Sequence, residues 1–528
     1  MTHSPQVSLA VACLLASGFA AAETPAPSPD ATKAAAAAQT AQAAQAAHGT
    51  HAAHDHAAFA RHVDAALLEK PIGIEKGLGK VHQKVGTESS EAQTYHDQGL
   101  ANLHAYQWIR AARSFHEALR RDSNLALARI GLARAYEGMK DEAAADRELA
   151  RAQELAPKAS AREQKYVAAY AAKRRAVAAA EADREATLAA YKKILDELTA
   201  EDASDAEAWL LRGNAEESAA GRGQNGDETT LRFYEAALRA SPDHFGAHHY
   251  VAHTYENVGR ADDAVKHAEI FSRACPDVPH ARHMFAHTLP RVGRWKDAVA
   301  ELEAADVLEE NAEREDGIPR AEDWHRVHNL NLLGLAYLHR GRTADAERTL
   351  REAYETPIPD PLAQSWHSTW PEFLLVQGRP QEALAVAKEL EESDSPVKRA
   401  IGSALVGEAM IDLGDLKGAG EQSKKARKRV DELRTAAKGH ARAEVLVLVA
   451  QEYAQILDVR GALRNGPPQE WRDFIVELVD AIAEDPTFDG WGNGWVRLKR
   501  ISKDARATGN GELADHIDEK LAGSSSSS

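Results

Sequence analysis

The sequence predicts an all-α protein, a right-handed superhelical solenoid of helix-turn-helix repeats. Three observations predict this fold class. Alanine, leucine and charged residues dominate while only 6% of residues are aromatic, and this mixture favours helices. Small and aromatic residues recur with a period of about 34 residues. The 528 residues exceed one typical domain, which a repeat array tolerates because each unit packs only on its neighbours.

The N-terminal residues have the pattern of a secretory signal. An apolar stretch at residues 7–19 is followed by the small-residue run Ala20-Ala-Ala, although no Lys or Arg precedes the stretch. We therefore expect residues 1–22 to be a signal peptide and the protein to be periplasmic or extracellular. Cys275 is then the last cysteine left, so the mature chain is expected to lack an internal disulfide bond.

Net charge and hydropathy narrow the classes of partner. The formal charge is -17 with histidines neutral, which disfavours nucleic acid and anionic lipid as partners. No later apolar run is long enough to cross a bilayer, so we expect no membrane insertion after signal cleavage. Protein, peptide and metal partners remain open.

Residues 23–88 are rich in alanine, proline and histidine and are expected to form a mostly disordered linker. The linker contains a histidine tract between His48 and His62. We favour a solvated polar linker for this tract, and the alternative is a low-affinity collector of Zn(II), Cu(II) or Ni(II).

The repeats begin near residue 92. The small, aromatic and proline positions of a tetratricopeptide-type unit are matched by Ala133, Tyr136, Ala145, Ala152 and Pro157. Small residues at these positions let the two helices of a unit approach closely, and a glycine at position 15 permits the turn between them. Counting such units predicts about eight repeats in a solenoid at residues 89–465.

Four segments depart from the repeat. The Gly-rich insertion at 221–226 is predicted to be a loop, and the acidic stretch at 301–322 is expected to bend apart the repeats that flank it. Residues 466–522 are predicted to form a C-terminal helical cap, which solenoids need to cover the end of their core. The serine tail at 523–528 is expected to be disordered.

Histidines fall in register on two successive repeats. When Gly259 and Gly293 are placed at the turn position, His249 and His253 occupy positions 5 and 9 of one repeat, and His283 and His287 occupy the same positions of the next. These positions face the concave groove of the solenoid. The same frame places further side chains in the groove: Glu256, Asn257, His280, Arg291, His328, Asn329 and Asn331.

Residues four apart lie on one face of a helix, so the two histidine pairs could converge on one transition metal. Candidate ligands are His249, His253, Glu256, His280, His283, His287 and His328. Imidazole suits Zn, Cu, Fe or Ni, and spacing does not choose between them; haem with two axial histidines is also conceivable. The alternative is a set of hydrogen-bonded polar or peptide-contacting groove residues. His248 and His267 are interpreted as structural.

The motifs His249-Tyr-Val-Ala-His253, His280-Ala-Arg-His-Met-Phe-Ala-His287 and His328-Asn329 resemble those of a bacterial family of exported tetratricopeptide-repeat proteins. The resemblance covers residues 92–345 and implies the repeat fold and a shared, unexplained histidine pattern, but no particular reaction. Members often carry proline after the methionine, where this chain has Phe285.

Three hypotheses about function follow. The first is an exported scaffold that binds a protein or peptide in its concave groove, with a metal site built from the histidines. The second is a metal-binding or metal-delivery protein. The third is a metal-dependent enzyme, which we favour less because the chain has no zincin helix, nucleophile elbow, phosphate-binding loop or haem-attachment motif.

Overall fold

The computed structural model describes residues 61–217, 221, 223–361, 363–438, 441–466, 469–484 and 493–523. In these ranges the chain forms helices and no strand, and consecutive helices pack together as pairs. The predicted all-α repeat solenoid is thereby confirmed. The predicted signal, the serine tail and the histidines at positions 48–56 lie outside the described residues. The chain divides into two compact units, here the N-terminal unit (residues 61–360) and the C-terminal unit (residues 361–523).

The N-terminal unit consists of a short first helix and seven helix pairs. Its helices are α1 Ala65–Leu68, α2 Ser90–His104, α3 Trp108–Arg121, α4 Ala126–Gly138, α5 Glu142–Leu155, α6 Ala161–Ala178, α7 Glu181–Glu201, α8 Ala206–Glu217, α9 Glu228–Ala240, α10 Phe245–Asn257, α11 Ala261–Ala274, α12 Pro279–Thr288, α13 Trp295–Asp316, α14 Trp324–His339 and α15 Thr343–Glu355.

Glycine at the first small position of a repeat is required by close helix packing. A Cβ added to Gly99 would lie 2.7 Å from the ring of Phe115, and one added to Gly213 would lie 2.3 Å from the ring of Tyr234. Because no real Cβ contact is that short, the aromatic ring of the second helix needs this vacant position. The small residues of the 34-residue pattern therefore set the spacing within each pair.

The turn position of the repeat adopts left-handed backbone. Gly259 and Gly293 both have φ of 76°, a conformation that glycine adopts at little cost. In the α2–α3 turn the residue with positive φ is Tyr106, at 56°. A bulky side chain is strained in this conformation. The strain indicates that the surrounding structure fixes the position of the Tyr106 ring.

The sequence-based count of repeats missed one helix pair. Helices α6 and α7 pack together between the second and third repeats that the pattern identified. The turn between them is Ala179-Ala180, so the glycine signal of the other turns is missing.

The acidic stretch at 301–322 does not separate its neighbours. It continues helix α13 as far as Asp316, and α13 packs against α14. The guanidinium of Arg326, itself 0% exposed, lies 3.2 Å from Asp306, 3.1 Å from Glu310 and 3.3 Å from Glu313. The buried guanidinium of Arg326 on α14 thus forms ion pairs with the carboxylates of the extended α13 and holds the two helices together.

Residues 71–88, here the strap, form an extended segment that packs against helices of the N-terminal unit. Val81, Gln83 and Val85 are buried and alternate with exposed residues, which is the period of an extended chain. The Cys275 thiol donates a hydrogen bond to the carbonyl oxygen of Leu78 over 3.1 Å. The part of the predicted linker at 61–88 therefore differs from a disordered segment, because its apolar side chains are buried.

Two glutamines of α2 hold the strap backbone. The side-chain amide of Gln98 accepts from the backbone N–H of Glu75 over 2.9 Å and donates to the carbonyl of Gly73 over 3.0 Å. Gln93 accepts from Val85 N–H over 3.0 Å and donates to the carbonyl of Gln83 over 2.9 Å. Both bind the main chain at a donor and an acceptor, as a groove would bind an extended peptide.

The C-terminal unit contains two more helix pairs followed by four helices. Its helices are α16 Thr369–Val376, α17 Pro380–Glu391, α18 Pro396–Asp412, α19 Leu416–Ala437, α20 Ala441–Asn465, α21 Gln469–Glu484, α22 Gly494–Ala507 and α23 Gly511–Gly523. Helices α22 and α23 pack together, and α22 also packs against α20.

A buried ion network joins α18, α20 and α22. The guanidinium of Arg460, which is 0% exposed, lies 3.1 Å from Glu408, 2.6 Å from Asp412 and 2.6 Å from Asp504. A buried charge of this kind is tolerated only when it is paired, so this network specifies how the three helices meet. In the ranges that are described, no helix is both long and apolar enough to cross a membrane.

We predict that replacing both clamps of the strap, Gln93→Ala with Gln98→Ala, lowers the free energy of unfolding by about 3–6 kcal/mol. The variant loses the four hydrogen bonds to the strap and also those to Asp97 and Ser114, each of about 0.5–1 kcal/mol. Limited proteolysis should then cut within residues 71–88 several times faster than in the wild type. The control is Gln164→Ala, because that exposed amide bonds only the nearby carbonyl of Ala159. An unchanged rate of cleavage within the strap of the double variant would contradict the claim that the two glutamines hold the strap in place.

Candidate metal centre

Helices α10, α12 and α14 each contribute two or three histidines to one region, here the histidine cluster. Its members are His249, His253, His280, His283, His287, His325 and His328. Within each helix they are spaced three, four or seven residues apart, so they share a face. Five of them are buried, and His249 is 0% exposed. The structure thus brings together every histidine that the sequence predicted as a ligand, and it adds His325.

The cluster does not line an open groove, because the turn between α2 and α3 covers it. The ring of Tyr106 lies 4.6 Å from that of His249 and 4.9 Å from that of His280, between centroids. The Nδ1–H of His249 donates to the main-chain carbonyl of His104 over 2.7 Å. The left-handed backbone at Tyr106 is what places its ring on the histidines. The expectation of groove-facing imidazoles is corrected here for His249 and His280, because the first repeat covers both.

Three imidazoles are oriented by an oxygen that accepts from Nδ1. His249 bonds the carbonyl of His104, His287 lies 3.0 Å from a carboxylate oxygen of Glu256, and His283 lies 3.0 Å from Oδ1 of Asn329. The amide of Asn329 is itself oriented, since its Nδ2 donates to a carbonyl. An oxygen acceptor places a proton on Nδ1, and the lone pair of a neutral imidazole then lies on Nε2, as in histidines that bind metals.

Further ring nitrogens in the cluster are buried without a hydrogen-bond partner. They are Nε2 of His253, Nδ1 of His280 and Nε2 of His325. Nε2 of His280 lies 3.1 Å from Nε2 of His249, close to the roughly 3.3 Å between two tetrahedral ligands with bonds of 2.0–2.1 Å. Buried polar atoms without partners cost free energy, and a bound ion would satisfy them.

His325 was missed by sequence reasoning. It precedes His328 by three residues, which repeats the spacing of His280 and His283, and that spacing was the available signal. Its Nδ1 makes a short hydrogen bond with the carboxyl group of Glu309, which lies in the extended part of α13. Burial raises the pKa of Glu309 well above its usual range and lowers that of His325 well below.

Burial lowers the pKa of six of the seven imidazoles and so favours their neutral form. Burial lowers the pKa of His249 to about 3 and that of His328 to about 3. Burial, reinforced by neighbouring imidazoles, also holds the pKa values of His253, His280 and His283 well below the usual range. A neutral imidazole offers a lone pair to a metal without first losing a proton.

Glu256 is the carboxylate at the edge of the cluster. Burial alone would raise its pKa, but His287 and Arg291 outweigh burial and hold that pKa below its ordinary value. The guanidinium Nε of Arg291 lies 3.3 Å from a Glu256 oxygen. Glu256 is therefore placed to serve either as an oxygen ligand of an ion or as the oxygen partner of His287.

Two triplets in the cluster have ligand atoms close enough to share an ion. One is His249, His253 and His280, and the other is His253, Glu256 and His287; within each triplet all ligand atoms lie within 4.8 Å of one another. The cluster continues beyond the triplets through His283. The centroid of its ring lies 4.6 Å from that of His325 and 4.7 Å from that of His328.

A third triplet also has ligand atoms within 4.8 Å of one another: His104, Glu207 and His244. Its contacts are those of a structural hydrogen-bond network. Nε2 of His104 lies 2.6 Å from the Glu207 carboxylate, and Nε2 of His244 lies 3.1 Å from it. The remaining ring nitrogens bond the hydroxyl of Tyr250 and the backbone N–H of Ala247. Every imidazole nitrogen already has a partner, so no lone pair is left over.

Of the other predicted groove residues, two contact the histidine cluster and two do not. Asn329 and Arg291 contact the cluster, as described above. Asn257 instead donates to the carbonyls of Gln224 and Gly226 and so holds the Gly-rich insertion. Asn331 donates to the carbonyl of Val327 in its own helix. Neither of these asparagines belongs to the cluster.

No protein-family model matches this chain, and no curated protein matches it. Solved structures that match include yeast Tom70, at 12% identity with 82% of this chain and 93% of that chain covered and a TM-score of 0.37. Human IFIT1 with PPP-AAAA is 13% identical over 83% of this chain and 91% of its own, with a TM-score of 0.33. The MamA protein is 15% identical over 43% and 96%, with a TM-score of 0.21. The fold assignment rests on the helix pairs of this chain, since likenesses this distant carry no argument.

We predict that Glu207→Gln destabilises the protein by about 1.5–3 kcal/mol, because hydrogen bonds to a buried charged acceptor are lost, and leaves its metal content unchanged. Urea unfolding and elemental analysis of the same preparation measure the two quantities. The opposite result, lower metal content with unchanged stability, would make this triplet a metal site and overturn its interpretation as structural.

Proposed function

We propose that this protein binds a transition metal in the histidine cluster of its repeat scaffold. The single observation that carries the proposal is that the triplet of His249, His253 and His280 has ligand atoms within 4.8 Å of one another, while Nε2 of His253 and Nδ1 of His280 are buried without a hydrogen-bond partner. A purely structural cluster would use both ring nitrogens for hydrogen bonds, as His104 and His244 do.

The chemistry of the donors narrows the ion. Imidazole and carboxylate ligands suit Zn, Cu, Fe and Ni, and disfavour Mg and Ca, which prefer oxygen ligands alone. The thioether of Met284 contacts Nε2 of His287 over 2.9 Å, and a soft sulfur atom beside the imidazoles favours copper among these metals. The export expected from the sequence belongs to this proposal, with metal handling outside the cytoplasm; catalysis by the bound metal is the alternative use of the same ligands.

The test measures binding of Zn(II) and Cu(II) to the untagged full-length protein. Calorimetry gives the affinity, and elemental analysis gives the metal content. We expect His249→Ala with His280→Ala to lower affinity by about 100-fold or more, since loss of two direct ligands exceeds the 10–100-fold typical of outer-shell changes. The matched control is His248→Ala with His267→Ala. Those two histidines lie on α10 and α11 and contact each other over 2.9 Å, and neither belongs to the cluster.

Both double variants keep the histidine tract at residues 48–62, so metal bound there contributes equally and cancels in the comparison. Equal metal affinity in the two variants would reject the proposal. Retained melting temperature in the metal-free cluster variant would show that a loss of affinity reflects lost ligands rather than unfolding.

A second candidate function is binding of a protein or peptide partner by the scaffold. The observation that favours it is the strap itself, because the N-terminal unit already binds an extended segment through side-chain clamps. A cavity of about 1020 Å³ lies beside the strap and is lined by charged side chains that include Lys80, Asp97, Arg162 and Asp243.

Crosslinking tests this second function. A photoreactive residue in place of the exposed Lys80 should capture a defined partner from periplasmic extract, and the same residue in place of Lys428, exposed on α19 of the C-terminal unit, is the control. Identical capture by both positions, or none by either, would reject partner binding at this cavity.

A further inference from the structure

The two triplets of the histidine cluster have one residue in common, His253. Its ring lies 5.0 Å from the ring of His249 and 5.8 Å from that of His287, between centroids. These neighbours belong to different triplets. His253 therefore lies where the two candidate ion positions meet.

The two ring nitrogens of His253 have different surroundings. Nδ1 lies 3.8 Å from Oε2 of Glu256, which is too long for a hydrogen bond but close enough for two ligands of one ion. Nε2 is buried without a hydrogen-bond partner. The nitrogens of an imidazole project in diverging directions, so Nε2 remains available to the first triplet when Nδ1 serves the second.

We propose that the cluster holds two metal ions and that the imidazole of His253 bridges them. One ion is bound by His249, His280 and one ring nitrogen of His253; the other is bound by Glu256, His287 and the second ring nitrogen. The inference rests on the proposed function, since it requires that the cluster binds metal.

Charge supports a bridge. A neutral imidazole has one lone pair, so it serves two ions only after its N–H proton is released to solvent, and the anion that results is shared between them. The first triplet consists of three imidazoles and no carboxylate, and a buried dication without a negatively charged ligand is costly. The negative charge of a bridging ring offsets that cost. Glu256 cannot do so for the first ion because it already pairs with Arg291.

Zinc stoichiometry separates two ions from one. We expect His249→Ala and His287→Ala each to lose one equivalent relative to wild type, and the double variant to lose two. If a single ion is bound by all of these residues, the double variant loses no more than either single variant, and that result overturns the bridge while leaving the proposed function intact. If no variant differs from His248→Ala, the proposed function itself fails.

The bridge has its own spectroscopic test. Two Cu(II) ions joined by one imidazole couple magnetically, so the integrated paramagnetic resonance signal of copper-loaded wild type should fall well below its copper content. His287→Ala, with one copper left, should give a signal equal to its copper content, and His253→Ala should lose both coupled coppers. His253→Gln repeats the test with a polar side chain in case the alanine variant unfolds. Full signal intensity from wild type loaded with two coppers would overturn the bridge.

Discussion

The hydrogen bond from Nδ1 of His249 to the carbonyl oxygen of His104 is the interaction on which the site depends. It joins residues 145 positions apart and ties the α2–α3 turn to α10. With that turn in place, the Tyr106 ring covers His249 and His280, and their burial lowers the pKa of both imidazoles. The same bond fixes the proton of His249 on Nδ1. One contact between distant repeats thus determines burial, protonation and ligand orientation together.

Other contacts hold the first repeat in that position. The carbonyl of Asp316 accepts from Arg113 over 3.0 Å, and the carbonyl of Leu67 accepts from the same side chain over 3.0 Å. The strap adds the clamps of Gln93 and Gln98. The N-terminal unit is therefore more than a row of nearest-neighbour repeats, since its first pair also packs against helices far along the chain. A cluster of seven imidazoles, five of them buried, needs such a closed scaffold, because an open groove would hydrate them.

The sequence was sufficient for the helix pairs and for most of the cluster, since a period of about 34 residues and the spacing of His249, His253, His283 and His287 are local patterns. It missed helices α6 and α7 because their turn has no glycine, and His325 because an insertion shifted the repeat frame. Burial of the cluster was not predictable. It depends on a contact between distant repeats and on a tyrosine in left-handed backbone, and neither leaves a periodic signal.

The central claim is that this chain binds metal through imidazoles of adjacent repeats. X-ray diffraction from metal-loaded crystals, recorded on both sides of the absorption edge of the metal, tests it most directly. The account predicts anomalous peaks within bonding distance of Nε2 of His249 and of the ring of His253. Peaks confined to the His104 and His244 network or to the histidine tract at residues 48–62, with the cluster empty, would contradict it.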